Sequence, residues 1–268
     1  MEMELRKITS RDNDRVKYAR RVRDGRDEGK IFIEGVRLVA EAVGSRTAID
    51  TLFVSSEARS RVQELIDIAG AKIVYEVSDA VFQSLGDTKT AQGLIAIADR
   101  PTASREVIER RLGAAAIPVV VFLDRVNNPS NLGAVIRTAE AAGAAGVIVS
   151  EGSADVFSPK ALRAAMGSSL RLAIWNGVSF ENALSWAKGV GLRTTAADVD
   201  ATLGYSEIDW RVPRMLVVGS EAEGLSEEDR GSVAELIVIP MENKVESLNL
   251  AVACGIVLFE AKRQIRSP

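Results

Sequence analysis

Residues 119–133 read VVVFLDRVNNPSNLG. Five consecutive apolar, mostly β-branched residues, Val119 to Leu123, show no in–out alternation, which is the pattern of a strand buried on both faces of a parallel sheet. The chain then turns polar from Asp124 to Asn131 and passes into a helical pattern over Leu132 to Ala142. Strand, polar loop and helix in that order form the repeating unit of an α/β layer fold. The unit recurs downstream, with strands predicted at Gly146 to Val149, Leu192 to Thr195, Met215 to Val218 and Leu236 to Ile239. Helices are predicted at Pro159 to Met166, Phe180 to Lys188 and Leu248 to Lys262. The expected architecture is a mostly parallel sheet covered by helices.

Upstream, the first hundred residues form a separate, smaller α/β series. Strands are expected at Ile31 to Ile33, Leu52 to Val54, Ile73 to Val77 and Leu94 to Ile97, with helices at Arg15 to Arg23, Val36 to Val43, Ala58 to Ala69 and Asp79 to Leu85. Between the two series the pattern fades into a charged, alanine-rich stretch bounded by Pro101 and Pro118. A chain of 268 residues accommodates two cores comfortably. The division is therefore residues 1–105, a linker at 106–118, and residues 119–268.

Composition removes several classes of function. There is no histidine, so the commonest general base, the serine-protease triad and most zinc sites are excluded, and no metal is expected. The single cysteine, Cys254, sits in the apolar run Leu248 to Phe259, where a buried core thiol is expected. No apolar stretch approaches the ~18 residues of a membrane-spanning helix, and the expectation is a cytoplasmic protein without membrane contact. The net charge of −3 conceals a basic N-terminal region, with eleven Lys/Arg against six Asp/Glu over residues 6–37. Arg20, Arg21 and Arg23 there are candidate phosphate contacts, though a solvated helix has the same composition.

Three polar loops follow buried strands: Asp124 to Asn131, Gly219 to Ser226, and Met241 to Ser247. Ligands of open α/β sheets bind outside the carboxyl ends of strands, so the three point to one composite site. Each has a plain structural reading on its own: a capped helix with a surface arginine at Arg137, a tight turn with solvated carboxylates, and an N-cap at Ser247.

Together they resemble, in order and spacing, the three motifs of the SpoU or TrmH family of RNA ribose methyltransferases. The motifs are an Asn-Pro-x-Asn-x-Gly…Arg-Thr-Ala segment, a Gly-x-Glu-x-x-Gly-Leu-Ser segment and an Ile-Pro-Met…Ser-Leu-Asn segment. Less extensively, Phe32-Ile33-Glu34-Gly35 and Thr90-Ala91-Gln92-Gly93 resemble the family's separate substrate-binding domain, which is similar to small RNA-binding ribosomal proteins. The resemblance implies a C-terminal trefoil knot, a homodimer, and S-adenosylmethionine as cofactor, held largely through backbone at Gly219, Ile239, Met241 and Leu248. It also implies that Asn131, Arg137, Glu221, Ser247 and Asn249 are the polar site residues. Asn243 and Leu250 depart from the family's frequent glycine and valine.

The implied reaction is methyl transfer to a ribose 2′-hydroxyl of RNA, with ribosomal RNA of the large subunit as the expected substrate and transfer RNA as the alternative. A competing reading is a non-catalytic RNA-binding protein that retains the fold. A guanidinium, with a pKa above ~12, is hard to deprotonate. Arg137 is therefore expected to bind the target phosphate and stabilise developing oxyanion character, with Glu221 or solvent taking the proton.

Overall fold

The computed structural model describes residues 4–88, 92–221, 224–243 and 245–266. Its elements, in chain order, are β1 (Glu4–Ile8), α1 (Asp14–Arg23), β2 (Lys30–Glu34), α2 (Val36–Gly44), β3 (Ile49–Ser55), α3 (Gln63–Ile68), β4 (Ile73–Val77), α4 (Asp79–Leu85) and β5 (Leu94–Asp99). There follow α5 (Arg105–Leu112), β6 (Val119–Leu123), α6 (Pro129–Ala142), β7 (Gly146–Ser150), α7 (Pro159–Ala165), β8 (Ile174–Val178) and α8 (Phe180–Gly189). The chain ends with β9 (Arg193–Ala197), β10 (Arg214–Val218), α9 (Glu227–Ser232), β11 (Glu235–Ile237) and α10 (Leu250–Arg266). By contacts they form two compact units: the chain up to Pro101 together with Phe157–Arg171, and Thr102–Val156 together with the chain from Leu172 onward. No described helix is long and apolar enough to cross a membrane.

The first unit is built on a five-stranded sheet of order β1-β4-β3-β5-β2, with β5 antiparallel to both its neighbours. Helix α1 forms because Val16, Ala19 and Val22 recur at helical spacing and bury one stripe, while Asn13 caps the first turn by accepting from the Arg15 N–H at 2.9 Å. Phe32, Phe53, Tyr75 and Phe82 fill the core. The quoted Gln92-Gly93 pair has a structural task. Gln92 Oε1 accepts from the Val36 N–H at 2.8 Å, satisfying the start of α2, and a Cβ on Gly93 would stand 2.2 Å from the Ala58 Cβ. Thr90 and Ala91 lie outside the described residues.

In the second unit six strands run parallel in the order β11-β9-β10-β6-β7-β8. The central strands β6 and β10 are buried at every position, as the unbroken apolar run at Val119 to Leu123 requires. Ile108 of α5 and Ala183, Trp186 and Ala187 of α8 join Phe122, Ile148 and Met215 in one core cluster. Helix α5 occupies part of the segment read as a linker. Its surface is Arg- and Glu-rich and Ile108 is its one fully buried side chain, so little periodicity shows in the sequence.

Two strands absent from the sequence reading, β1 and β8, are both sheet edges. Edge strands can carry polar residues on both faces, and β8 exposes Asn176 and Gly177. The helix expected at Ala58 to Ala69 is a 3-10 turn, Arg59–Val62, followed by the shorter α3.

Candidate functional site

Because every strand pair of the second unit is parallel, the loops after β6, β9, β10 and β11 all leave from one edge of its sheet. The loop after β10 turns back on itself, with the Ser220 and Gly224 backbones exchanging hydrogen bonds at 3.2 and 3.1 Å. Gly219 is dictated by that return. A Cβ there would lie 2.4 Å from the Gly224 carbonyl carbon and 2.7 Å from the Leu225 nitrogen, a clash with backbone that no side-chain movement relieves.

Glu221 is carried by this turn towards the loop after β6. Its carboxylate accepts from the backbone N–H groups of Asn127 (3.4 Å) and Asn128 (3.3 Å) and from the Asn131 side-chain amide (3.2 Å). Each bond is long, so the loop is positioned by the set rather than by any one of them. Asn128 in turn caps α6, accepting from the Ser130 N–H at 2.9 Å, with Pro129 in the first turn. Helix α6 therefore starts three residues before the expected Leu132.

The third motif closes the network. Asn249 donates from Nδ2 to Asn131 Oδ1 at 3.1 Å, and its own Oδ1 accepts from the Ala251 (3.0 Å) and Val252 (3.4 Å) N–H groups. Asn249 is thus the residue that caps α10, which begins at Leu250; Ser247, read as a possible cap, stays exposed. The chain Asn249–Asn131–Glu221 ties three sequence-distant motifs together.

These loops enclose a cavity of about 580 Å³, within the range of roughly 300–1,000 Å³ usual for small-molecule sites. Asn131, Gly219, Glu221, Ile239, Met241, Ser247, Leu248 and Asn249 all line it, joined by the apolar Val218, Leu225, Leu250 and Ala253. Arg137 does not line it. It is exposed on α6 and, among the described residues, has no hydrogen-bond or ion-pair partner. Six residues along a helix turn through about 600°, leaving Arg137 on a different face from Asn131. Cys254, one turn into α10, is buried, and burial pushes its thiol up to about 12.

One wall of the cavity, formed by Ala197–Asp200 after β9 together with Arg230 of α9, lies outside the three motifs and the predicted site residues. Arg230 Nη2 reaches Asp198 Oδ1 at 2.8 Å and Asp200 Oδ2 at 3.3 Å. The signal was present in the acidic stretch after a predicted strand, but its relevance depends on β9 lying beside β10, which spacing does not reveal.

The candidate phosphate contacts lie in the first unit, on α1. Arg20 and Arg23 are part-buried and donate to the end of α4: Arg20 to Ser84 Oγ (2.6 Å) and Ser84 O (3.3 Å), Arg23 to Leu85 O (3.1 Å). They supply partners to carbonyls that a helix C-terminus leaves unpaired. Arg21 is exposed, as are Arg15 and Lys17 on the same helix.

Comparison with known proteins adds three kinds of likeness. The model of the SpoU rRNA Methylase family matches residues 118–259, and that of the MRM3-like substrate binding domain matches residues 13–96. The 23S rRNA (guanosine(2553)-2'-O)-methyltransferase RlmP of Bacillus subtilis is 30% identical, over 96% of this chain and 100% of that protein. The crystal structure of the AdoMet-bound rRNA methyltransferase from Sinorhizobium meliloti superposes with a TM-score of 0.84 at 31% identity, covering 98% of this chain and 99% of that one. The SpoU methyltransferase AviRb from Streptomyces viridochromogenes, in complex with AdoMet, gives a TM-score of 0.83 at 27% identity, covering 94% and 98%.

Proposed function

Because the chain belongs to the SpoU rRNA methylase family, we propose that it transfers a methyl group from S-adenosylmethionine to a ribose 2′-hydroxyl of large-subunit ribosomal RNA. The observation that carries this reading is the single cavity into which the three motifs converge, with the Asn249–Asn131–Glu221 chain at its rim.

The cavity suits the cofactor. Gly219 lines it where the turn packs too tightly for a side chain, and Val218, Leu225, Ile239, Leu248 and Leu250 supply apolar walls for a nucleoside. When bound, S-adenosylmethionine supplies an electrophilic methyl on a sulfonium, so transfer is an in-line displacement in which the carbon–oxygen bond forms as the carbon–sulfur bond breaks. The protein's task is alignment and charge management. Gly219, Ile239, Met241 and Leu248 hold the cofactor, and Asn131 and Asn249 fix the rim across which the ribose must approach. Ser247 offers an exposed hydroxyl there. Glu221 already accepts from three N–H groups, which makes it a positioning residue and leaves solvent as the proton acceptor.

Arg137 is assigned to the phosphate of the target nucleotide. Its helix packs on α10, where Val252 and Phe259 are 51% and 48% exposed. That apolar stripe supports a homodimer built on the α6–α10 layer. The reading includes a C-terminal trefoil knot, as the resemblance of the three motifs implies. Residues 1–105, completed by Phe157–Arg171, form the RNA-binding part, similar to RNA-binding ribosomal proteins, with exposed Arg15, Lys17 and Arg21 as its phosphate contacts. The enzyme acts in the cytoplasm.

The deciding experiment supplies labelled S-adenosylmethionine with protein-free ribosomal RNA and transfer RNA, then maps the label by nuclease digestion and mass spectrometry. A 2′-O-methylated nucleotide in large-subunit RNA is expected. Label on a base, or in transfer RNA alone, overturns the substrate assignment, and absence of any label favours a binding protein.

A further inference from the structure

We propose that Asp198 is an additional cofactor-binding residue, whose Oδ2 accepts a hydrogen bond from a ribose hydroxyl of S-adenosylmethionine; this rests on the cofactor reading above. The Asp198 side chain is nine-tenths buried in the cavity wall immediately after β9. Its Oδ1 is fully engaged, accepting from Arg230 Nη2 at 2.8 Å and from the Asp200 N–H at 2.9 Å. Oδ2 has no partner among the described residues, yet it is not sealed from solvent. One oxygen is clamped from behind while the other is left as an acceptor in a site built for a ligand. A solvent-reachable carboxylate oxygen held in place by its clamped twin is a ready acceptor for a ligand hydroxyl.

Position selects which part of the cofactor does so. In the order β9-β10-β6, the loops after β9 and β6 flank the Gly219 turn on opposite sides. Neighbouring strands stand ~4.8 Å apart, so these two loops begin about 10 Å from each other. Transfer to RNA belongs at the β6 side, where Asn131 meets Asn249, and Asp198 therefore lies towards the nucleoside end. Its surroundings agree: Val199, Val218, Val238 and Ile239 line the cavity with it and suit an uncharged nucleoside better than an amino-acid zwitterion. The zwitterion's carboxylate would also face both Asp198 and Asp200, with Arg230 already shared between them.

Calorimetry on the full-length protein tests this with S-adenosylmethionine, with 5′-methylthioadenosine, which lacks the amino acid, and with its 2′-deoxy and 3′-deoxy analogues. Wild type should prefer methylthioadenosine over at least one deoxy analogue by about ten-fold or more, and Asp198→Ala should abolish that preference. Should Asp198→Ala not fold, Asp198→Leu, which also lacks an acceptor, carries the same comparison. A wild-type protein indifferent to both deoxy analogues, or a preference that survives in the variant, overturns the assignment. So does a loss confined to S-adenosylmethionine and absent with methylthioadenosine, because Asp198 would then be reading the ammonium. Failure of the wild type to bind S-adenosylmethionine at all is a different result, and removes the cofactor reading itself.

Discussion

At the scale of single residues, Arg137 and Asn131 show what separates a visible motif from a visible role. Both stand in one sequence motif six positions apart, yet Asn131 is at the cavity rim and Arg137 is on another face of α6, without a partner among the described residues. Arg137→Ala should therefore fold and bind S-adenosylmethionine like the wild type. It should methylate RNA at least about 10²-fold more slowly in single turnover, the usual cost of removing one charge-stabilising donor. Arg137→Lys keeps the charge but loses the paired planar donors, and little rescue is expected. A single-turnover rate equal to wild type at saturating RNA and cofactor would falsify the role. The rim residues were legible because Asn, Glu and Ser at fixed spacings are chemically conspicuous, whereas Asp198 and Arg230 were hidden. Nothing along the chain says that the loop after β9 adjoins the one after β10. Arg20 and Arg23 went the other way: conspicuous as a basic cluster, they turn out to serve the end of α4.

Among the elements, β10 is held at its amino end by a buried ion pair far from the cavity loops. Arg214, 3% exposed, pairs with Glu235 of β11 and donates to Thr195 Oγ1 of β9 at 2.8 Å and to the Asp209 carbonyl at 3.0 Å. Its guanidinium also lies 5.6 Å from the Trp210 ring centroid. One side chain thus stitches β10 to β9 and β11. Removing one partner of such a pair strands the other, at a cost of ~3–5 kcal/mol. Arg214→Ala should lower stability by that order in chemical denaturation, and Glu235→Gln by a comparable amount, because it leaves the buried Arg214 guanidinium without its carboxylate. A change below ~1 kcal/mol for Arg214→Ala would show that the pair is dispensable. Central strands were readable from sequence because burial on both faces forces unbroken apolar runs. Edges β1 and β8, and the charged α5 and α9, were not, since few or none of their side chains enter a core.

For the whole molecule, two α/β series separated by a charged stretch were evident from patterning, but the path of the chain between the two compact units was not. Phe157–Arg171 belongs by sequence to the second series and by contacts to the first. There Phe157, Ala161, Leu162 and Ala165 are buried, Arg163 reaches Asp87 at 2.6 Å and the buried Glu34 at 3.6 Å, and Arg171 pairs with Glu41. Among the described residues, Arg163→Ala would leave Glu34 with the Asp87 N–H and the Thr88 hydroxyl as donors. We expect a loss of about 1–3 kcal/mol, read by hydrogen exchange as faster exchange across β2 and α2 with β6 and β10 unchanged. Uniform acceleration through both units would argue that they unfold together. The discontinuity also reaches into how the protein is made. A ribosome that has delivered Pro101 has delivered every strand of the first sheet, yet the end of the segment that covers Glu34 is still seventy residues away, roughly 4 to 14 seconds of synthesis. Through that interval the nascent first unit is a folded sheet with an open flank, and the growing chain itself must return to close it.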